Sequence, residues 1–309
     1  MKVLILGAAG FIGTNLAITL SKEAENMMTL VDVKKEYFKE IEKLNLDNVI
    51  IKEAIFSEET NFDDVVSGQD VVYHLVSTTV PTTSNQHIEQ EIKANVIVTI
   101  KLLDACVKQK VKKIVFISSG GTVYGKEVSC PISEDTATNP ISAYGIQKVT
   151  IEKLLYLYHH LHGLDYRVIR LSNPYGPYQR PNGILGAVTT FTHRAITGQE
   201  IVVYGDGRVV RDYIYIDDAI TAIINIANGE SKYKTFNVGS GNGTSVKELL
   251  EQIETTLKCK LNITYAEERK VDVPINYLDV SRYESQYGTL CKITLQEGIL
   301  KLAEFLKGN

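Results

Sequence analysis

The sequence predicts an α/β protein: a doubly wound parallel sheet followed by a smaller C-terminal α/β lobe. Short apolar, β-branched runs with little polar alternation recur through the first half, as strands covered on both faces require. Amphipathic helical stretches separate several of them. After Asn173 prolines and glycines cluster and the elements shorten. The 309 residues are 44% apolar and 23% charged, ordinary for a globular protein and enough for two domains or one with a substantial appendage.

The strands expected in order are residues 3–6, 28–31, 49–51, 71–73, 114–117 and 166–169, each rich in Val, Ile, Leu or aromatic residues. Apolar periodicity places long helices at 88–109 and 141–162. Beyond Asn173 the pattern gives helices at 184–197, 219–227, 246–257 and 295–306 and a strand at 201–203. No internal repeat or low-complexity linker is visible.

Bulk properties exclude several functions. A net charge of −4 offers no electrostatic reason to bind nucleic acid or an anionic membrane. Cys106, Cys130, Cys259 and Cys291 are scattered, without the close pairs of a zinc site or disulfide framework, so no metal is expected. No apolar run is long enough to span a bilayer. Residues 1–10 share a positive charge, an apolar stretch and small residues with signal peptides. The glycine spacing and the strand that follows read them better as a strand and loop, and a cytoplasmic location is expected.

The strand at 3–6 leads into Gly7-Ala8-Ala9-Gly10-Phe11-Ile12-Gly13 and then a helix. Glycines spaced by three allow a tight turn, close approach of backbone to a pyrophosphate, and close helix–strand contact; the helix N-terminus supplies amide donors. Asp32 ends the second strand, where a carboxylate accepts both ribose hydroxyls and repels a 2′-phosphate. That favours NAD over NADP, although Lys34 and Lys35 follow closely. The loop and the acid point to a Rossmann-like, dinucleotide-binding sheet.

Tyr144 and Lys148 stand four residues apart in the helix at 141–162, so both leave one face. A phenol with an ordinary pKa of about 10 is a poor base, and an ammonium beside it favours the phenolate. The pair suits proton transfer.

The chain resembles the extended short-chain dehydrogenase/reductase family, and within it the UDP-sugar 4-epimerases. The resemblance covers essentially the whole sequence. Besides the glycine loop and Asp32 it rests on Tyr73-His74-Leu75, Asn95-Val96, residues 118–125 (SSGGTVYG), and Tyr144 with Lys148. It continues through residues 173–177 (NPYGP), 204–207 (YGDG), Arg211-Asp212-Tyr213-Ile214 and 237–241 (NVGSG). It implies a catalytic Tyr144, and a Lys148 that binds the nicotinamide ribose and lowers the phenol pKa. Asn95 would approach the NAD, with Leu75 and Val76 along its path. On the substrate side it implies Asn173 near the phosphates, Arg211 and Arg269 on the diphosphate, and Val203 and Tyr204 at the uracil. It divides the chain into an NAD-binding domain, 1–173 plus roughly 212–238, and a nucleotide-sugar lobe, roughly 174–211 and 239–309.

Two positions depart from the family. Gly120 stands where a Ser or Thr usually bonds the sugar 4-hydroxyl; Thr122, with Ser119 next, is expected to supply that hydroxyl. Ala54 stands where an Asp usually meets adenine, leaving that subsite to apolar contacts and backbone amides. The family's dehydratases carry an Asp-Glu pair just before V-Y-G, and its decarboxylases a Glu; this chain has Gly121-Thr122. Elimination is therefore disfavoured, and the resemblance implies NAD-dependent C4 epimerisation of a UDP-hexose through a 4-keto intermediate. Alternatives are a 2-epimerase, a dehydratase or a reductase on the same scaffold. A non-catalytic NAD-binding sensor, suggested by Gly120, is an alternative of another class.

Asn276 is expected at the position that sizes the pocket for plain or N-acetylated hexoses, and the polar loop containing Thr78 is expected to face substrate. His74 reads as a core histidine, Asp217 as a helix cap, and Ser118 as a strand-end residue rather than a nucleophile. His159, His160 and His162 suit a helix C-terminus without any metal. The apolar faces of the helices at 88–109 and 141–162 imply, through the resemblance, a homodimer.

Overall fold

The computed structural model describes residues 1–78, 83–181, 186–267 and 273–308. Seven strands form the main sheet: β1 (Lys2–Leu6), β2 (Met27–Asp32), β3 (Val49–Glu53), β4 (Val71–His74), β5 (Lys113–Ser119), β6 (Asp165–Leu171) and β7 (Thr235–Val238). Their spatial order is β7-β6-β5-β4-β1-β2-β3, and every pairing is parallel. All six strands expected before Asn173 are present, each extended by a residue or more. The chain order reverses between β1 and β4, which opens a crevice at the carboxyl ends of the strands.

The strand period of two explains why both faces are buried. Val3 and Ile5 of β1 enter one core cluster, and Leu4 and Leu6 enter the other. One face is covered by helices Phe11–Leu20 and Ile216–Asn228, the other by Val98–Lys108 and Ala143–His162. Interiors filled in this way gain roughly 25 cal/mol per Å² of apolar surface removed from water.

The helix expected at 88–109 is interrupted. Ile88–Glu91 is α-helical, Ile92–Ile97 adopts a π-helical turn, and Val98–Lys108 resumes the α-helix. The helix expected at 219–227 begins earlier, at Ile216, directly after the strand Tyr213–Tyr215. Asp217 therefore does not cap it. Ile216 is fully buried, and anchoring it draws the start of the helix forward; Asp217 instead places its carboxylate in the first turn, where negative charge is favourable.

The remaining residues build the smaller lobe over the crevice. Helices Ala187–Thr197, Val246–Leu257 and Leu295–Gly308 pack together beside the parallel pair Ile201–Tyr204 and Ile263–Ala266. Val210–Arg211 is flanked by Thr244–Ser245 and Ile275–Asn276. Buried Asp212 ties the lobe to the sheet: its carboxylate accepts from Ser240 N at 2.6 Å, Ser240 Oγ at 2.7 Å and Leu278 N at 3.1 Å. Its backbone carbonyl accepts from Asn173 N and Nδ2. Among the described residues no helix is long and apolar enough to cross a membrane.

Candidate active site

β1 delivers the chain into the glycine loop at the crevice. Gly7 has φ +81°, and a Cβ there would meet Val76 N at 3.2 Å. Helix Phe11–Leu20 starts after Gly10 with no side-chain cap, which leaves the amides of its first turn for an anion. Asp32, at the end of β2, accepts from Ala9 N at 3.0 Å and Val33 N at 2.8 Å, so the backbone holds the carboxylate beside the loop.

A cleft of about 1010 Å³ runs from this loop to the lobe, lined by Gly7, Gly10, Phe11, Ile12, Gly13, Asp32 and Leu75 at its cofactor end. A side cavity of about 350 Å³ opens off it, lined by Ala54, Ile55, Phe56, Phe62 and Val76. Apolar walls next to Asp32 match the size and character of an adenine ring, so the residues present fit a dinucleotide. Ala54 is one of the residues lining this cavity.

Helix Ala143–His162 brings Tyr144 and Lys148 to the middle of the cleft. Its N-terminus is secured three ways: Ser142 Oγ accepts from Gly145 N, Ser84 Oγ from Tyr144 N at 3.1 Å, and Asn85 Oδ1 from Ala143 N at 2.8 Å. Lys148 donates from Nζ to Ile117 O at 2.9 Å and lies 5.4 Å from the Tyr144 ring centroid. Burial lowers the Lys148 pKa to about 8, with the carboxylate of Glu152 opposing. Burial also pushes the Tyr144 phenol up to about 12, while a hydrogen bond with Ser77 pulls the other way. Burial, the largest cause, thus leaves the phenol above its ordinary value. His74 is a core residue held at Thr99 Oγ1 (3.0 Å), and burial drives its pKa down to about 3.

Behind Lys148 lies a buried polar network. Glu152 accepts from Ser118 Oγ and takes two bonds from Arg170, at 3.2 and 2.7 Å. Arg170 also donates to Tyr124 Oη at 3.0 Å, and Tyr124 donates to Asn237 Oδ1 at 2.6 Å. Ser118 is accordingly a strand-end residue spent on structure.

Ser119 and Thr122 both line the cleft. The Thr122 hydroxyl is enclosed and has no hydrogen-bond partner among the described residues, a costly state unless something is supplied to it. Gly120 has a steric origin. A Cβ there would meet Leu278 Cδ1 at 2.5 Å, so the lobe has claimed the space of the missing side chain.

On the lobe side, Asn173, Val203, Tyr204 and Arg211 line the cleft together with Arg180 and Arg194. Arg211 is steered by the carbonyls of Val210 (2.9 Å) and Val273 (2.6 Å). Arg269 lies outside the described residues.

Three expected site residues stand elsewhere. Asn95 lines neither cavity; its amide is engaged by Thr78 N (3.1 Å), Thr78 Oγ1 (2.8 Å) and Glu91 O (3.0 Å), which turns it into a brace for the loop after β4. Thr78, fixed by that brace, borders the side cavity rather than the main cleft. Asn276 is buried, donates to Gly120 O at 3.4 Å and lines neither cavity. Ser77 and Asn85 were not expected here, and Ser84 was expected only as part of the polar loop that begins at Thr78. Ser77 follows Leu75 and Val76 off the same strand end and was open to the same inference; the backbone bonds of Ser84 and Asn85 carry no sequence signal.

Among the described residues no three His, Cys, Asp or Glu side chains group as a metal site, and the four cysteines are free. His159 Nδ1 pairs with Leu164 O at the helix end.

A glycine loop, a ribose-type acid and a Tyr–Lys pair around one crevice define an enzyme of the dinucleotide-dependent, tyrosine-based class. The chain belongs to the NAD dependent epimerase/dehydratase family, whose model matches residues 3–239. It is 31% identical to a UDP-glucose 4-epimerase of Mycolicibacterium smegmatis over 100% of this chain and 99% of that one. The structure superposes with a TM-score of 0.91 on the UDP-glucose 4-epimerase of Thermotoga maritima solved with UDP-glucose, at 32% identity over 100% and 99% of the two chains. It matches equally well, at 0.91 and 27% identity over 99% and 98%, the UDP-N-acetylglucosamine 4-epimerase of Methanobrevibacter ruminantium in complex with UDP-N-acetylmuramic acid.

Proposed function

We propose that this protein inverts C4 of a UDP-hexose, UDP-Glc/UDP-Gal or UDP-GlcNAc/UDP-GalNAc, with NAD held tightly in the crevice. One observation carries the choice among family chemistries. Among the described residues Asp32 is the only carboxylate lining the cleft, and it stands beside the glycine loop. Gly121 and Thr122 occupy the place next to V-Y-G where an eliminating acid and base would be needed.

In this reading NAD, when bound, supplies a reversible hydride acceptor. The glycine loop and first helical turn hold its diphosphate, Asp32 its adenosine ribose, and the side cavity its adenine. Tyr144 takes the proton of the sugar 4-hydroxyl and returns it after the sugar has turned over. Lys148 fixes the ribose nearest the reacting carbon and supplies positive charge. Arg211, with Arg180 and Arg194 in the same cleft, neutralises the substrate diphosphate while the hexose swings. Ser119 and Thr122 line the cleft where the sugar would sit, and the enclosed Thr122 oxygen, unpartnered among the described residues, would have to be uncovered to bond it.

The cofactor body is residues 1–173 with roughly 212–238, and the remainder is the nucleotide-sugar lobe. Helix Ala143–His162 leaves Ile146, Tyr156, Leu157 and Leu161 exposed, next to exposed Ile88. An apolar stripe of this kind supports a homodimer built on these helices, in a cytoplasmic enzyme. Incubating purified protein with UDP-Gal and with UDP-GalNAc tests the function. Formation of the C4 epimer without added cofactor is expected; NAD binding with no turnover of any UDP-sugar would favour the sensor instead.

A further inference from the structure

Tyr37 and Arg180 meet at the rim of the main cleft. Tyr37 lies on the short turn Lys35–Phe38 after β2, and Arg180 lies beyond the strand Asn173–Tyr175. Both line the cleft, and the Arg180 guanidinium carbon stands 5.9 Å from the Tyr37 ring centroid, within cation–π range. Tyr37 is 45% exposed, so the pair sits at the mouth of the cleft rather than on its floor. Each partner has a settled base. Phe38 is buried in the core and Lys35 N donates to Glu53 Oε1 at 2.6 Å, which holds the turn under Tyr37. On the other side the Asn15 amide donates to Phe11 O at 2.9 Å and Pro177 O at 3.0 Å, joining the first helix to the segment before Arg180. Tyr178 then takes φ +67°, uncommon for a bulky residue, and its ring packs edge-on against Phe305 at 5.0 Å. Strain of this kind persists where the surroundings fix it, and it clusters at ligand clamps. Gln179 Nε2 donates to Pro174 O at 3.1 Å. The chain is thereby turned and pinned just before Arg180, whose long side chain is the part left to swing.

We propose that Tyr37 is a cofactor-retaining residue: its ring docks the Arg180 guanidinium, and the pair latches the cleft mouth over bound NAD and slows its release. The proposal rests on the reading of the crevice as an NAD site. Tyr37 follows closely on Asp32, whose carboxylate is held by Ala9 N of the glycine loop, so the latch and the ribose acid share one end of the cleft. Arginine suits the task, since its planar guanidinium stacks on an aromatic face and keeps its charge at any working pH. Opening the latch requires one side chain to turn and leaves the anchored backbone on both sides in place.

The test loads the protein with labelled NAD and follows its release during a chase with excess unlabelled NAD. Wild type is compared with Tyr37→Phe, Tyr37→Leu, Arg180→Met and the double variant carrying Tyr37→Leu and Arg180→Met. Tyr37→Leu and Arg180→Met are each expected to speed release about two- to fivefold, the size of an exposed cation–π contact. Tyr37→Phe keeps the ring and should stay near wild type. The double variant should release NAD no faster than the quicker single variant, because either substitution alone already breaks the latch. Unchanged release in Tyr37→Leu overturns the proposal. Effects that multiply in the double variant also overturn it, since they mean that the two side chains act on the cofactor separately. A wild type that holds NAD but turns over no UDP-sugar defeats the epimerase reading instead, and the release rates still decide the latch.

Discussion

Lys148 donates its hydrogen bond to the carbonyl of Ile117 at 2.9 Å, while its Nζ lies 5.4 Å from the ring centroid of Tyr144. The two groups share a helix face and a desolvated pocket, and burial drives both toward their neutral forms. The phenol stands at about 12 and the ammonium at about 8. The working form, phenolate with ammonium, is therefore a minor one.

That relationship dictates the pH profile. Below pH 8 the small phenolate population grows about tenfold for each pH unit while Lys148 stays charged, so kcat/KM rises about tenfold per unit. Above about 8 the loss of the ammonium cancels further gain, and the profile levels. His74, at about 3, adds no limb in the working range. Replacing Lys148 with Arg, which keeps its charge, should lower the rate and let the rise continue past pH 8. A Lys148→Arg profile that still levels near 8 would assign the break to another group.

The Arg170–Glu152 pair is buried on both sides and satisfied by Ser118 and Tyr124. Arg170→Met strands the Glu152 carboxylate and should cost about 3–5 kcal/mol. Removing both charges, as Arg170→Met with Glu152→Leu, should cost less than Arg170→Met alone. Urea unfolding of wild type, the two single variants and the double variant measures this, and strictly additive losses would show the two side chains to be uncoupled.

Restoring the hydroxyl that the family carries at position 120 should fail. Gly120→Ser drives Cβ into Leu278, 2.5 Å from Cδ1, and overpacking of this kind costs about 1–3 kcal/mol. Activity should fall rather than rise. Combined with Leu278→Ala, the loss of stability should be smaller than the sum of the single losses. A Gly120→Ser protein as stable as wild type would mean that the lobe yields at Leu278.

The strands were legible because buried parallel strands announce themselves as apolar runs, and the glycine loop and Asp32 because phosphate and ribose constrain spacing. Tyr144 and Lys148 were legible because a helix turns four residues into one face. What escaped depended on geometry that a one-dimensional pattern lacks. Asn95 sits in a π-helical turn and bonds Thr78 instead of lining the cleft. Asn276 pairs in parallel with Arg211 across a two-residue strand, a register no spacing predicts, and it ends up under Gly120. The pull of burial on the Tyr–Lys pair was missed because sequence shows neighbours but not solvent.

Tyr144→Phe offers the most direct measurement. It removes one oxygen and leaves the glycine loop, Asp32 and the side cavity untouched. With NAD content and epimerisation of UDP-Gal and UDP-GalNAc measured on the same preparation, the variant should retain its cofactor and lose about 10²–10⁴-fold in kcat. Full cofactor content with turnover close to wild type would place the base elsewhere and contradict the account.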